Sequence, residues 1–249
     1  MSADFSVRSL AFSARSLALA GACSDDVDIH SAVAEFREII RMVGLVHSVC
    51  GAWTGVSAHR VHRFFFNDWP EDWLALYNER QIFADDPFVE EARRSMTLYL
   101  WSEVETRRPL TPRAQAVYDV GRAYGWREVV GVPIHGPMGY QGLVSLASFE
   151  AVTFAPQERA CLDLISRAIH ERCRREIGFG LVSEDMPKLT AREIECMQWV
   201  AVGKTDWEIA QVLGISRSTA HFHIEGAKRK LGSSSRSECV TRLALYGLI

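Results

Sequence analysis

Apolar residues recur at helical spacing over residues 28–45, where Ile29, Val33, Phe36, Ile40 and Val43 mark one face. Two β-like stretches follow at 45–53 and 60–66. Asp68-Trp-Pro-Glu71 then predicts a helix start, with Asp68 as the cap and Pro70 in the first turn. A further helix should open at Asp86-Pro87, and a short strand that includes Trp101 is expected over 99–103. Thr111-Pro112 predicts a helix to about residue 124. Residues 127–135 and 140–149 read as strands joined by a Gly136-Pro-Met-Gly139 turn, and Pro156 starts an amphipathic helix to 177. This order predicts an α+β chain whose N-terminal part is an α-β-α sandwich around a central antiparallel sheet.

The last sixty residues change character. Thr190 with Glu193, Thr205 with Glu208 and Ser235 with Glu238 are spaced as capping boxes, and Gly214-Ile-Ser216 supplies a tight turn and an N-cap. They predict an all-α domain of four helices at about 191–202, 206–213, 217–231 and 236–246. The second and third have the dimensions of a helix-turn-helix. The domains are therefore expected at 1–177 and 188–249, with 178–187 as the linker.

The third of these helices has a buried stripe of Ala220, Ile224, Ala227 and Leu231. Its opposite side presents Ser218, His221, Phe222, Glu225, Lys228 and Arg229, a polar face sized for a DNA major groove. His221 and Glu225 are candidate base readers, a glutamate being the acceptor for a cytosine amino group. Arg217, Lys228, Arg229 and Lys230, with the Lys204-Thr205 helix start, are candidates for phosphate contacts.

Charge supports this division. The whole chain of 249 residues has a formal net charge of −3, which argues against bulk electrostatic binding of nucleic acid. Residues 188–249, however, carry nine basic and six acidic side chains, net +3, leaving −6 on 1–187. All four lysines lie in the basic part. A lysine-free N-terminal domain excludes an ordinary phosphoreceiver, which needs a lysine beside its phosphoaccepting aspartate. No P-loop, GxSxG, HExxH or metal-spaced cluster points to an enzyme. The six cysteines form no CxxC pair and read as reduced core residues of a cytoplasmic protein. Residues 5–23 faintly resemble a signal h-region, but Arg15 interrupts the apolar run. They read as an N-terminal extension, with no membrane partner.

Leu189-Thr-Ala-Arg-Glu193, Gly203-Lys204, Glu208-Ile-Ala210, Leu213-Gly-Ile-Ser216, Thr219-Ala-His-Phe-His223 and Lys230-Leu-Gly232 closely resemble the DNA-binding domain of LuxR-type transcriptional regulators. Ala220 stands where that family usually has valine, and Trp207 where a smaller or charged residue is common. Upstream, Trp73 and Tyr77 four residues apart, then Asp86-Pro87, then Trp101 resemble the signature of the acyl-homoserine-lactone-binding domain of quorum-sensing LuxR proteins. Gly125, Pro133 and Ser145 fit its later part.

The resemblance implies a ligand site. The Trp73 indole would donate to a lactone carbonyl, and Asp86 would accept the amide N–H. Ser145 and Trp69 would serve the acyl carbonyl, while Tyr77 and Trp101 wall the ring. Trp69 replaces the family's usual tyrosine and Val129 a common glycine. Both add bulk, so a short, branched or aryl acyl group is expected. The implied protein is a homodimer on promoter DNA with no cofactor beyond the signal ligand, and RNA polymerase is a further candidate partner. Dimer contacts are expected from helix 156–177 and from the Val240, Leu243, Ala244 face of the last helix. A regulator of the same architecture that senses a different molecule, or none, is the alternative.

Overall fold

The computed structural model describes residues 2–25, 27–54, 61–80, 82, 86–107, 109–136, 139–179, 188–245 and 248–249. The chain divides into two compact units between Phe179 and Gly180. Residues 180–187, most of the expected linker, lie outside the described residues.

In the first unit a five-stranded antiparallel sheet has the order β2-β1-β5-β4-β3, formed by β1 (His47–Thr54), β2 (Val61–Asn67), β3 (Tyr99–Leu100), β4 (Glu128–His135) and β5 (Gln141–Ser148). Alternation along the central strands sorts side chains into two cores. Val130, Val132, Val144 and Leu146 face one side, which α1 (Ser2–Ser24), α2 (Ile29–Arg41) and α7 (Pro156–Ile177) cover. Val129, Leu143 and Ala147 face the other. There they meet aromatic residues from α3 (Glu71–Glu79), α4 (Pro87–Glu91), α5 (Trp101–Arg107) and α6 (Pro112–Tyr124). The outcome is the expected α-β-α sandwich.

Three local expectations are corrected. Residues 2–24 are not an extension but a helix of the core, with Phe12, Ser16, Leu19 and Cys23 buried. Arg15, which interrupts the apolar run, is half-buried on the flank of the helix and pairs with Glu35 of α2. Asp68 does not cap α3. Its carboxylate accepts from the Ser48 amide and pairs with Arg37, so Pro70 takes the cap position without a side-chain bond. Trp101 is not in a strand, because β3 ends at Leu100 and Trp101 opens α5.

The second unit contains α8 (Ala191–Ala201), α9 (Asp206–Leu213), α10 (Arg217–Lys230) and α11 (Arg236–Leu245). The Thr190–Glu193 and Thr205–Glu208 boxes are reciprocal as expected. At α11 the Glu238 amide donates to Ser235, but the Glu238 carboxylate turns to Ser234 instead. Gly214 ends α9 in the left-handed region (φ 63°), where a Cβ would be strained, and Ser216 caps α10 through the Thr219 amide. Ala220, Ile224, Ala227 and Leu231 are buried, as their spacing requires. Leu243 is fully buried in the same core, and the apolar residues Leu162, Ile165 and Ile169 of α7 are buried in the first unit. Of the expected α11 dimer face, Val240 is partly buried and Ala244 is exposed, and on α7 Leu164 is exposed.

Candidate ligand pocket and nucleic-acid interface

Helix α3 projects Trp73 and Tyr77 from one face, with ring centroids 5.9 Å apart. Trp69, in the β2–α3 connection, lies 6.1 Å from Trp73. Asp86 caps α4, so one carboxylate oxygen is anchored by the Phe88 amide at 2.9 Å. The other accepts the Tyr77 hydroxyl at 2.7 Å. Burial pushes the Asp86 carboxyl above its ordinary pKa, against the pull of these donors. Trp101 stacks on Tyr118 at 4.4 Å and 22°. Gly121 makes room for that indole, since a Cβ there would stand 2.7 Å from Trp101 Cη2.

These residues border two cavities. A small one of about 30 Å³ is lined by Trp73, Trp101, Trp126 and Val129, and a larger one of about 310 Å³ by Trp53, Leu143 and Ser145. Trp69, Tyr77, Asp86 and Phe88 line both. The structure therefore gathers five of the six predicted ligand residues on the small cavity and sets Ser145 on the neighbouring one. The indole nitrogens of Trp69, Trp73 and Trp126 are buried with no hydrogen-bond partner among the described residues. An unpaired buried donor costs about 1–3 kcal/mol, so three beside one acceptor form a site that favours a ligand with hydrogen-bond acceptors.

In the second unit, Arg217, Ser218, His221, Phe222 and Arg229 are exposed along α10. Lys228 and Glu225 are partly buried and bind each other at 2.8 and 3.0 Å. His221 Nδ1 is 3.0 Å from a carboxylate oxygen of Asp206 on α9, whose other oxygen pairs with Arg236 of α11. Burial raises the Asp206 carboxyl, but hydrogen bonds from His221 and Arg236 outweigh it and hold it below its usual range. Lys204 pairs with Glu208 at 3.1 Å, while Thr205 caps α9. Five of the nine predicted contact residues, Lys204, Thr205, His221, Glu225 and Lys228, are therefore held by neighbours, and the Ser218 hydroxyl lies 2.8 Å from Ser216 Oγ.

Two matches decide the identity. The autoinducer binding domain matches residues 28–173, and the luxR family of bacterial regulatory proteins matches 187–243. The chain belongs to the LuxR family. It is a quorum-sensing transcriptional regulator with an autoinducer-binding domain, and the family is one of regulators, not enzymes. It is similar to the quorum sensing-dependent transcriptional regulator RpaR of Rhodopseudomonas palustris, 29% identical over 221 residues that cover 87% of this chain and 88% of RpaR. The transcriptional activator BjaR1 of Bradyrhizobium diazoefficiens is 34% identical over 187 residues, covering 73% and 74% of the two chains. Among solved structures, Escherichia coli SdiA superposes with a TM-score of 0.63 at 21% identity, covering 91% and 94%. SdiA in complex with octanoyl-rac-glycerol gives 0.65 at 21%, covering 95% and 96%. At that identity the likeness is one of fold.

Several residues of this LuxR protein that line the cavities or restrain α10 escape the sequence. Trp126 is 1% exposed, stacks flat on Phe149 at 4.4 Å and meets Trp73 edge-on at 5.9 Å. Its only local mark is a tryptophan at the start of a predicted strand. Phe88 lines both cavities yet reads as the first turn of a helix. Asp206 and Arg236 restrain His221 across fifteen residues of sequence and more, which no local pattern announces.

Proposed function

We propose that the aromatic cavity pair binds an acyl-homoserine lactone and that the liganded chain binds promoter DNA as a homodimer in the cytoplasm. The supporting observation is the buried, unpartnered Trp73 indole N–H on the cavity that Asp86 also borders. A lactone carbonyl satisfies that donor, and the ligand's amide N–H finds the carboxylate. Trp69 and Ser145, which share the larger cavity, serve the acyl carbonyl. Tyr77 and Trp101 bound the ring, and the acyl tail runs into the larger cavity. In the same reading 1–177 is the sensor, 178–187 the linker and 188–249 the DNA-reading part, with RNA polymerase as a further partner.

Trp69 and Val129 fill space on the small cavity, and about 310 Å³ is the low end of small-molecule pockets. Both favour a short, branched or aryl acyl group. Phosphate contacts come from Arg217, Lys228, Arg229 and the Lys204-Thr205 helix start, and base contacts from the Ser218, His221, Phe222 and Glu225 face.

The test is mass spectrometry of what co-purifies when the chain is expressed with a panel of acyl-homoserine lactones, alongside Trp73→Phe. Retention of a short or aryl lactone by the parent, with roughly tenfold or greater loss in the variant, is expected. Tightest binding of a long linear chain would overturn the acyl assignment. Capture of an acyl glycerol, of the kind bound in the SdiA complex, would favour the reading in which another molecule is sensed.

A further inference from the structure

Helix α1 lies ahead of the segment that matches the autoinducer binding domain, and it has two apolar faces. The inner one (Phe12, Leu19, Cys23) is buried. The outer one is not. Val7, Leu10 and Leu17 are 66%, 69% and 62% exposed, and Ala14 and Gly21 are exposed in line with them. These positions follow spacings of three, four, three and four residues, the seam of a two-stranded coiled coil. No charged side chain stands in the seam, and Arg15 beside it is tied to Glu35 of its own chain at 2.8 Å. Among the described residues no helix is long and apolar enough to cross a membrane, so the stripe is not a spanning segment.

The order of sizes along the stripe identifies its occupant. If a second copy of α1 lies antiparallel, with each seam residue facing its counterpart around a two-fold axis, Leu10 meets Gly21, Leu17 meets Ala14 and Val7 meets Ser24. Every large side chain then faces a small one, and each contact occurs twice, as an isologous interface requires. A Cβ on Gly21 would meet nothing within its own chain, so the space above it is open to a neighbour's leucine. Parallel pairing instead sets Ala14 on Ala14 and Gly21 on Gly21, leaving alternate layers empty against the uniform density of packed interiors. We infer that the outer face of α1 is a homodimer interface in which two copies pair antiparallel.

This rests on the homodimer reading above, and the experiment separates the two. The full chain and its Leu10→Glu/Leu17→Glu variant are compared by light scattering after size exclusion, with circular dichroism as the fold control. Both leucines are solvent-exposed, so the variant retains its helix content. A dimeric parent and a monomeric variant are expected. Independently, Ala14→Cys and Gly21→Cys are treated with a short bis-maleimide, with the parent as control for native thiols. Antiparallel pairing brings the two Ala14 positions within about 5 Å along the axis but leaves the two Gly21 positions about 16 Å apart. Only Ala14→Cys should therefore be captured as a covalent dimer. Equal capture at both sites overturns the antiparallel pairing. A variant that stays dimeric, or no capture at Ala14, overturns the α1 interface and leaves the homodimer reading intact. A parent that stays monomeric when purified with the panel of acyl-homoserine lactones overturns both.

Discussion

The Tyr77 hydroxyl donates to Asp86 Oδ2 over 2.7 Å, joining the helix that carries Trp73 to the cap of the helix that carries Phe88. That bond orients the carboxylate beside the unpaired indoles. It also partly offsets the burial that raises the Asp86 carboxyl above its ordinary pKa. Between the unfolded value and the raised folded one, the folded chain holds the extra proton, so stability falls as pH rises through that window. Above that window this contribution to the stability of the ligand-free fold is lost.

Asp86→Asn should separate binding from stability. Asparagine still caps α4 through its one carbonyl oxygen, but its amide nitrogen then faces Tyr77 and can only donate to that hydroxyl, and the side chain no longer carries a buried charge. Autoinducer affinity should drop by about 1–3 kcal/mol in a titration. Thermal unfolding of the ligand-free protein at pH 7 should meanwhile move upward. A lowered melting temperature would show that the carboxylate stabilises the apo fold.

Gly121→Ala should destabilise the sensor despite lying within a helix. The substitution gains up to about 1 kcal/mol of helix propensity. Its Cβ, however, would stand 2.7 Å from a Trp101 indole that is fixed on Tyr118. Overpacking of this kind costs about 1–3 kcal/mol and would push Trp101 into the small cavity. Denaturant unfolding and tryptophan fluorescence should register both effects, and ligand affinity should fall.

His170 makes the sensor acid-sensitive. It is fully buried on α7, with Nε2 3.0 Å from the Tyr140 hydroxyl, and Arg174 stacks 4.3 Å above the Tyr140 ring. Burial first, and then the positive charges of Arg174 and Arg167, lower its pKa to about 3. The folded value lies below the unfolded one, so the stability is full above about pH 6.5 and declines as pH falls towards 3. The contribution changes by at most about 1.4 kcal/mol per pH unit. Denaturant melts at pH 7, 6 and 5 should show a shallower slope for His170→Gln than for the parent.

Glu225 and Lys228 should not behave as independent DNA contacts, because they bind each other at 2.8 Å. Lys228→Gln should weaken binding to all sequences and reduce the salt slope by about 1. Glu225→Gln should alter preference at one base pair and, by releasing Lys228, strengthen nonspecific binding. Fluorescence anisotropy on operator and scrambled duplexes over a salt series distinguishes these outcomes.

Much of this was legible in the chain. The α7 stripe, the α10 stripe and the two reciprocal capping boxes depend on residues within a few positions of each other, so helix periodicity and cap chemistry sufficed. The N-terminal helix was not, because an apolar run broken by Arg15 has the same local pattern whether it packs on the core or trails from it. Asp68 was misplaced as a cap for a related reason. Its better partners, the Ser48 amide and Arg37, lie on other elements and compete with the local amides only once the sheet has formed.

By itself the sequence determined the helix-turn-helix and the order of the sandwich elements, which follow from short-range spacing, while the pocket residues were implied by the family resemblance of Trp73, Tyr77, Asp86 and Trp101. Tertiary structure alone decided how those residues meet. It divided the site into two cavities, added Trp126 and Phe88, tied both His221 and Arg236 to Asp206, and turned one face of α1 outward. The physical reason is that burial, and the loss or retention of a polar group's partner, are set by which elements pack together. Local pattern carries the propensity of a segment but not its neighbours.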